Sequence, residues 1–312
     1  MSTVPDVYLM QSTHHTDSVT RYSFVTSFNT TQYAELSFSS SWIPVLKKFQ
    51  LDEESIQKTE DSVVFQSLPQ LVTGMSSNHF KEAQHKFLTS CSKNQNQLNI
   101  TVFDLGLTSA NRQTLNRDFP SVELRRFAFD NYPSYFKRLS NFRWKPLVLA
   151  EMLLEHKAVW YGDTSSVCSN QNVTAIRERM KIGEFYPQMS TLGKLFIGIT
   201  ATTYPAMFRF LPLEPSKGTE DTVPGGAQLI FATRDVKQHV LKWWVLCALE
   251  AKCMGSGVWK EYPILCNFRS NRLAFANCHR FDQSAVSILL GNRNQYNITR
   301  YQYALMNTQR LA

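Results

Sequence analysis

The stretch WKPLVLAEMLLEHKAVWYGDTSS, residues 144–166, decides how the chain folds. Leu147, Leu149, Ala150, Leu153 and Leu154 recur with helical spacing up to His156, and Pro146 falls in the first turn, where a missing N–H costs nothing. Ala158, Val159, Trp160 and Tyr161 then form a short apolar run, a candidate buried strand. GDTSS, residues 162–166, closes the unit as a polar loop with a carboxylate at the strand end.

Working outward, residues 62–65 and 70–73 read as extended, and residues 74–78 as a loop. Ser77 or Asn78 can cap a helix over 79–91, with Phe80, Ala83 and Phe87 on its apolar side. Residues 98–104 form a β-branched run that ends near Gly106, Thr108 and Ser109 start another helix, and residues 122–127 alternate as a strand does. Strand and helix alternating over 62–166 predict an α/β fold with a mostly parallel central sheet flanked by helices. In such sheets ligands sit outside the carboxyl ends of the strands. The loops at 76–78, 104–106 and 163–166 would then share one rim.

Beyond this core, residues 195–200 read as a strand, 214–222 as a polar, mobile-looking loop, and 224–230 as a glycine turn feeding an apolar strand. Thr233 can cap a helix running through Val236, Val240, Trp243, Trp244 and Cys247, and residues 282–290 form another. Residues 1–60, rich in Ser and Thr, read as a stem or peripheral segment before a domain at 61–312.

Composition narrows the function. The 33 basic and 25 acidic residues among 312 leave a net charge of +8, scattered without a basic block, which suits phosphorylated small molecules or an ordinary basic surface. No zinc finger, basic arm or RNA-recognition motif supports nucleic-acid binding. Dinucleotide, Walker, G-x-S-x-G and H-E-x-x-H signatures are also missing. No run of about 20 apolar residues spans a membrane and no signal peptide opens the chain, which taken alone points to the cytosol. Four Asn-X-Thr sequons, at Asn29, Asn99, Asn172 and Asn297, and six cysteines point instead to the secretory pathway, with an N-terminal anchor expected outside this sequence. Cys247, Cys253, Cys266 and Cys278 can supply two staples or remain buried thiols.

Four groups carry candidate chemistry. Asp163, two residues before Ser165, is half of an Asp-X-Asp metal pair or a capping residue of its loop. Lys145, at the mouth of a helix, faces a phosphate or solvent. Gly225 and Gly226 permit close approach of a sugar ring or simply turn the chain. His279, Arg280 and Asp282 set a possible ligand, a cation and a carboxylate side by side, although a lone histidine is commonly structural.

SSNHFKEA at 76–83, ITVFDLGLT at 100–108, WKPLVLAEMLLEH at 144–156, GDTSS at 162–166, WWVLCALEAKCM at 243–254 and CHRFDQSAVSILL at 278–290 together resemble an uncharacterised animal family, expanded in nematodes. That family looks like a divergent branch of the GT-A nucleotide-diphospho-sugar transferases, close to the retaining, glycogenin-like group. The resemblance implies a glycosyltransferase in the Golgi lumen that moves a hexose from a nucleoside-diphosphate sugar, foremost a UDP-sugar, to a glycan or glycoprotein. It implies that Ser76, Ser77 and Asn78 hold the nucleoside, that Asp104 ends the second strand beside the donor, and that Lys145 faces it. It places Gly225 and Gly226 against the sugar and the Asp282–Gln283 pair near the reacting centre. It gives Asp163, with Ser165 and His279 as substitutes for the remaining ligands, a Mn or Mg ion. Ser165 stands where the family pattern has its second acid, and this opens the alternative of a non-catalytic, glycan-binding or accessory subunit.

Overall fold

The computed structural model describes residues 20–25, 31–36, 38–255, 266 and 273–308. Strands β1 (Thr20–Val25) and β2 (Thr31–Leu36) form an antiparallel pair. Short helices α1 (Ile43–Lys48), α2 (Glu53–Gln57) and α3 (Asp61–Val64) lead to β3 (Gln70–Met75). A helical stretch follows as α4 (Phe80–Ala83), a π-turn over Gln84–Leu88 and α5 (Thr89–Asn94). Then come β4 (Ile100–Asp104), α6 (Ser109–Asp118), β5 (Glu123–Arg126), α7 (Trp144–His156), β6 (Ala158–Gly162), β7 (Ser166–Cys168), α8 (Val173–Lys181) and β8 (Gln188–Ser190). The chain continues through β9 (Ala227–Phe231), α9 (Arg234–Val236), a π-turn over Lys237–Leu241, α10 (Lys242–Leu249), α11 (Asp282–Arg293) and β10 (Met306–Thr308).

The central sheet has the order β5-β4-β3-β6-β9-β8, parallel through β5, β4, β3 and β6, with β9 antiparallel between β6 and β8. Every residue of β3, β4, β6 and β9 is buried, as expected of interior strands covered on both faces. Alternate residues feed two cores. Val72, Phe103, Val159, Tyr161 and Ile230 face the layer of α7, α10 and α11. Leu71, Val102, Trp160 and Leu229 face the layer of Phe80, Phe87, Ile176 and Met180. The outer strand β5 is polar, and Arg125 bridges Glu123 and Glu155 there, which keeps the open edge charged. Gly74 is required by packing: a Cβ there would lie 2.5 Å from the Trp144 ring. Gly74→Ala is expected to cost about 1–3 kcal/mol, read as a lowered urea midpoint.

Several expectations need correction. Residues 61–64 are helical because Val63 and Val64 both close backbone bonds onto Glu60 while only Val64 is buried, so one apolar contact suffices. The loop after β3 begins at Ser76, not Gly74, and neither Ser77 nor Asn78 caps α4. Residues 195–200 are not a strand: Phe196 takes φ 53° and only Gly198 bridges Asp221, so the apolar run reflects burial of Ile197 and Ile199. Residues 214–222 are tied down, with Gly218 accepting from the Thr200 N–H and hydroxyl. Part of the stem expected at 1–60 lies outside the described residues. Within the rest, Phe38, Leu46, Phe49 and Leu51 are buried in the larger core.

All six cysteines are paired, as Cys91–Cys168, Cys247–Cys253 and Cys266–Cys278. The expected staples are present among the late cysteines, and the thiol alternative falls. No helix among the described residues is long and apolar enough to cross a membrane.

Candidate functional site

A cleft of about 580 Å³ opens at the carboxyl ends of β3 and β6, and every candidate site residue lines it except Ser77 and Asp104. The register explains the convergence. Gly162 pairs with Ala227, and the Asp163 N–H donates to Gly226 O at 2.7 Å, so the strand-end carboxylate and the glycine pair lie side by side. Helix α7 runs back toward the start of β6, which puts Lys145, in its first turn, at the same rim. Asp282 opens α11 directly after Phe281, whose φ of 46° turns the chain into the cleft wall.

Lys145 is 2% exposed, yet it is not desolvated without partners. Its Nζ lies 2.7 Å from Asp282 Oδ2 and 3.2 Å from Asp163 Oδ1, donates to Gly225 O at 3.2 Å, and sits over the Phe142 and Tyr161 rings. Burial alone would depress its pKa, but the Asp163 and Asp282 carboxylates prevail and hold the amine above its usual value. The Tyr161 hydroxyl donates to Asp163 Oδ1 at 2.7 Å, and burial beside that charge keeps the phenol protonated. Burial pushes the Asp282 carboxyl up against the pull of Lys145. Lys145 contacts one oxygen of each acid, Asp163 Oδ1 and Asp282 Oδ2, so the cluster still offers carboxyl oxygens as acceptors to hydroxyl groups. Gln283 Nε2 is buried with no hydrogen-bond partner among the described residues. It is an open donor beside those acceptors.

Gly225 and Gly226 serve this cluster before any ligand arrives. A Cβ on Gly225 would come within 2.9 Å of Gln283 Cβ, and one on Gly226 within 3.0 Å of Asp163 Oδ2. Ser77 and Asp104 do something else. The Ser77 hydroxyl donates to Gly106 O and accepts from the Thr108 N–H, joining the two strand-end loops. Asp104 accepts from the Gly106 and Leu107 N–H groups and from Arg112 Nε. Burial works against its ionised form, and these bonds outweigh it, holding the carboxyl below its usual value.

The expected metal set of Asp163, Ser165 and His279 does not fit an ion. The Lys145 ammonium lies between the two carboxylates where a cation would be held, and His279 Nδ1 accepts the Tyr204 N–H at 3.1 Å. Among the described residues no group of three or more His, Cys, Asp or Glu side chains is arranged as metal ligands. Burial lowers the His279 pKa to about 3, so the ring is neutral in the folded protein. A depressed pKa adds stability above the unfolded value and loses it as pH falls toward the folded one. Between about pH 6.5 and 4 the protein should lose roughly 1 kcal/mol per pH unit through His279. Urea titrations at several pH values should show that slope, and His279→Asn, which keeps an acceptor for Tyr204, should flatten it.

Sequence reasoning missed Glu82 and Phe142. Glu82 accepts from the Thr164 hydroxyl at 3.0 Å and closes one wall of the cleft. It falls on a helical stretch whose apolar period drew attention to Phe80, Ala83 and Phe87 instead. Phe142 adopts φ 53°, which no local pattern signals.

A family described as "Protein of unknown function (DUF1647)" matches over residues 11–150. No curated protein matches the chain in sequence. Among solved structures the chain is similar to the galactosyltransferase LgtC in complex with donor and acceptor sugar analogs, at 14% identity and a TM-score of 0.37. That match covers 56% of this chain and 59% of the other, so the chain spans little more than half of LgtC. It is also similar to mouse xyloside xylosyltransferase 1, at 12% identity and a TM-score of 0.43, covering 76% and 84% of the two chains. A third is the mannosyltransferase Ktr4p from S. cerevisiae in complex with GDP, at 11% identity and a TM-score of 0.40, covering 68% and 71%.

Proposed function

We propose that this protein is a glycosyltransferase that moves a hexose from a nucleoside-diphosphate sugar to a glycan or glycoprotein acceptor. The observation that carries the reading is the Asp163–Lys145–Asp282 cluster, set beside the open amide of Gln283 at the carboxyl rim of a mostly parallel sheet. A hexose is a ring of hydroxyl groups, each able to donate to a carboxylate and accept from an amide N–H. Asp163 and Asp282, fixed in place by Lys145, would accept from those hydroxyls, and Gln283 would donate. Ser76 and Asn78, across the cleft, would meet the nucleoside. In the reaction the donor's anomeric C–O bond to the diphosphate breaks and a bond to the acceptor oxygen forms. The acceptor proton leaves with the nucleoside diphosphate or to solvent.

Lys145 takes a different part from the one its sequence position suggests. It is enclosed by two carboxylates and a carbonyl, so it orients the acids rather than neutralising the departing diphosphate. Arg280, which also lines the cleft, brings positive charge to the wall where that group would lie. The three disulfides support a home in the oxidising secretory pathway, and Asn99, Asn172 and Asn297 are exposed where glycans would attach. Release of nucleoside diphosphate from a panel of uridine and guanosine donor sugars, with and without manganese, tests the reading. Turnover of at least one donor is expected. A complete lack of turnover alongside retained donor binding would favour the accessory-subunit alternative, which Ser165 supports by bringing no second charge after Asp163.

A further inference from the structure

A second pocket, of about 410 Å³, lies at the other end of the sheet. Its place follows from the register: Ala158, the first residue of β6, pairs with Phe231, the last of β9, and the Ala232 N–H donates to Lys157 O at 2.8 Å. Lys157 and Ala232 therefore line the amino-terminal rim, a full strand length, roughly 16 Å, from the cleft. Lys237 and Lys58 complete a set of three lysines, opposed within the lining by Glu60 alone.

The pairing of these lysines is uneven. Lys58, at the mouth, pairs with Glu54 on the surface. Lys237 is buried, and its Nζ donates to the Thr59 hydroxyl at 3.1 Å. Lys157, held at φ 63° as it closes α7, donates to Leu154 O at 2.8 Å. Among the described residues no carboxylate lies within ion-pair distance of Lys157 or Lys237. Burial and then the Lys157 charge hold the Lys237 amine below its usual value, with Asp61 offsetting this in part. Asp61 is itself engaged by the Arg234 N–H. Each ammonium has three donors and uses one, and two like charges share a partly enclosed space. An anion with several oxygens would satisfy the spare donors and remove the repulsion.

We infer that this pocket binds a tetrahedral oxyanion, a phosphate or sulfate that is either free or an ester on a larger molecule, through Lys157 and Lys237 with Lys58 at the mouth. The site is separate from the sugar cleft and does not depend on its assignment.

Thermal unfolding in low-millimolar inorganic phosphate or sulfate, against sodium chloride of equal ionic strength, tests it. A ligand bound only by the folded form must raise the midpoint. A rise of about 2 °C is expected for at least one anion. The rise should vanish in Lys157→Asn, where asparagine tolerates the left-handed backbone, and in Lys237→Met. It should persist in Asp163→Asn, which alters only the cleft. A response to phosphate alone or sulfate alone identifies the anion, and a rise at least as large with the corresponding monoester, in place of the inorganic ion, assigns the ester as the source. No rise in the unaltered protein, or an equal rise in both lysine variants, would overturn it, and Lys157→Asn decides the matter if Lys237→Met fails to fold.

Discussion

Lys145→Met should lower folding stability by roughly 3–5 kcal/mol, because it strands the buried Asp282 carboxylate and its neighbour Asp163 without their cation. Replacing both members, as Lys145→Met with Asp282→Asn, should recover a large part of that loss, since the cost lies in the uncompensated charge rather than in the missing pair. The pH dependence has a definite sign. Lys145 is raised above its unfolded value, so its contribution is complete below the ordinary lysine range and fades only as pH climbs through the folded value. The gap between the unaltered protein and Lys145→Met should stay level from neutrality to mildly alkaline pH. It should narrow on acidification, as Asp282, pushed up by burial, takes a proton in the variant. Urea unfolding at a series of pH values reads all of this, and a deficit under about 1 kcal/mol at pH 7 would mean that the three groups are not a unit.

The second large effect is catalytic. If Asp163 holds the sugar as it is transferred, Asp163→Ala should reduce kcat/KM by about 100- to 1,000-fold, the usual consequence of removing one group aimed at developing charge. The fold should tolerate the change better than it tolerates Lys145→Met, because Asp163 is partly exposed and Lys145 retains Asp282. Steady-state kinetics with the donor found by the panel would measure it. A loss below tenfold with an intact fold would remove Asp163 from the transfer step.

Much of this arrangement is legible in the chain, and what is not has physical reasons. The parallel strands β3, β4 and β6 announce themselves as largely apolar runs before polar loops, because strands buried on both faces favour apolar side chains and admit polar ones mainly where they find a partner, as Gln70 finds Thr101. That pattern places Ser76, Asn78 and Asp163 at one rim. Lys145 and Asp282 are 137 positions apart, and only the closing of α7 and α11 over the sheet brings them within 2.7 Å. Local sequence marks Lys145 as a helix-mouth cation; it cannot show that two acids already occupy it. Asp104 illustrates the opposite error. A carboxylate at a strand end resembles a ligand group, yet the Gly106 turn and Arg112 consume both oxygens. Residues 195–200 have the composition of a strand without its partner, since the left-handed Phe196 leaves only Gly198 to pair.

Equilibrium binding addresses the central claim most directly: the affinity of a nucleotide sugar compared with that of its bare nucleoside diphosphate, in the unaltered protein and in Asp282→Asn. The cluster of Asp163, Lys145, Asp282 and Gln283 predicts that the sugar adds affinity in the unaltered protein and adds little in the variant, while the bare nucleotide binds both alike. Equal binding of sugar and bare nucleotide by the unaltered protein, or no binding of either, would contradict it.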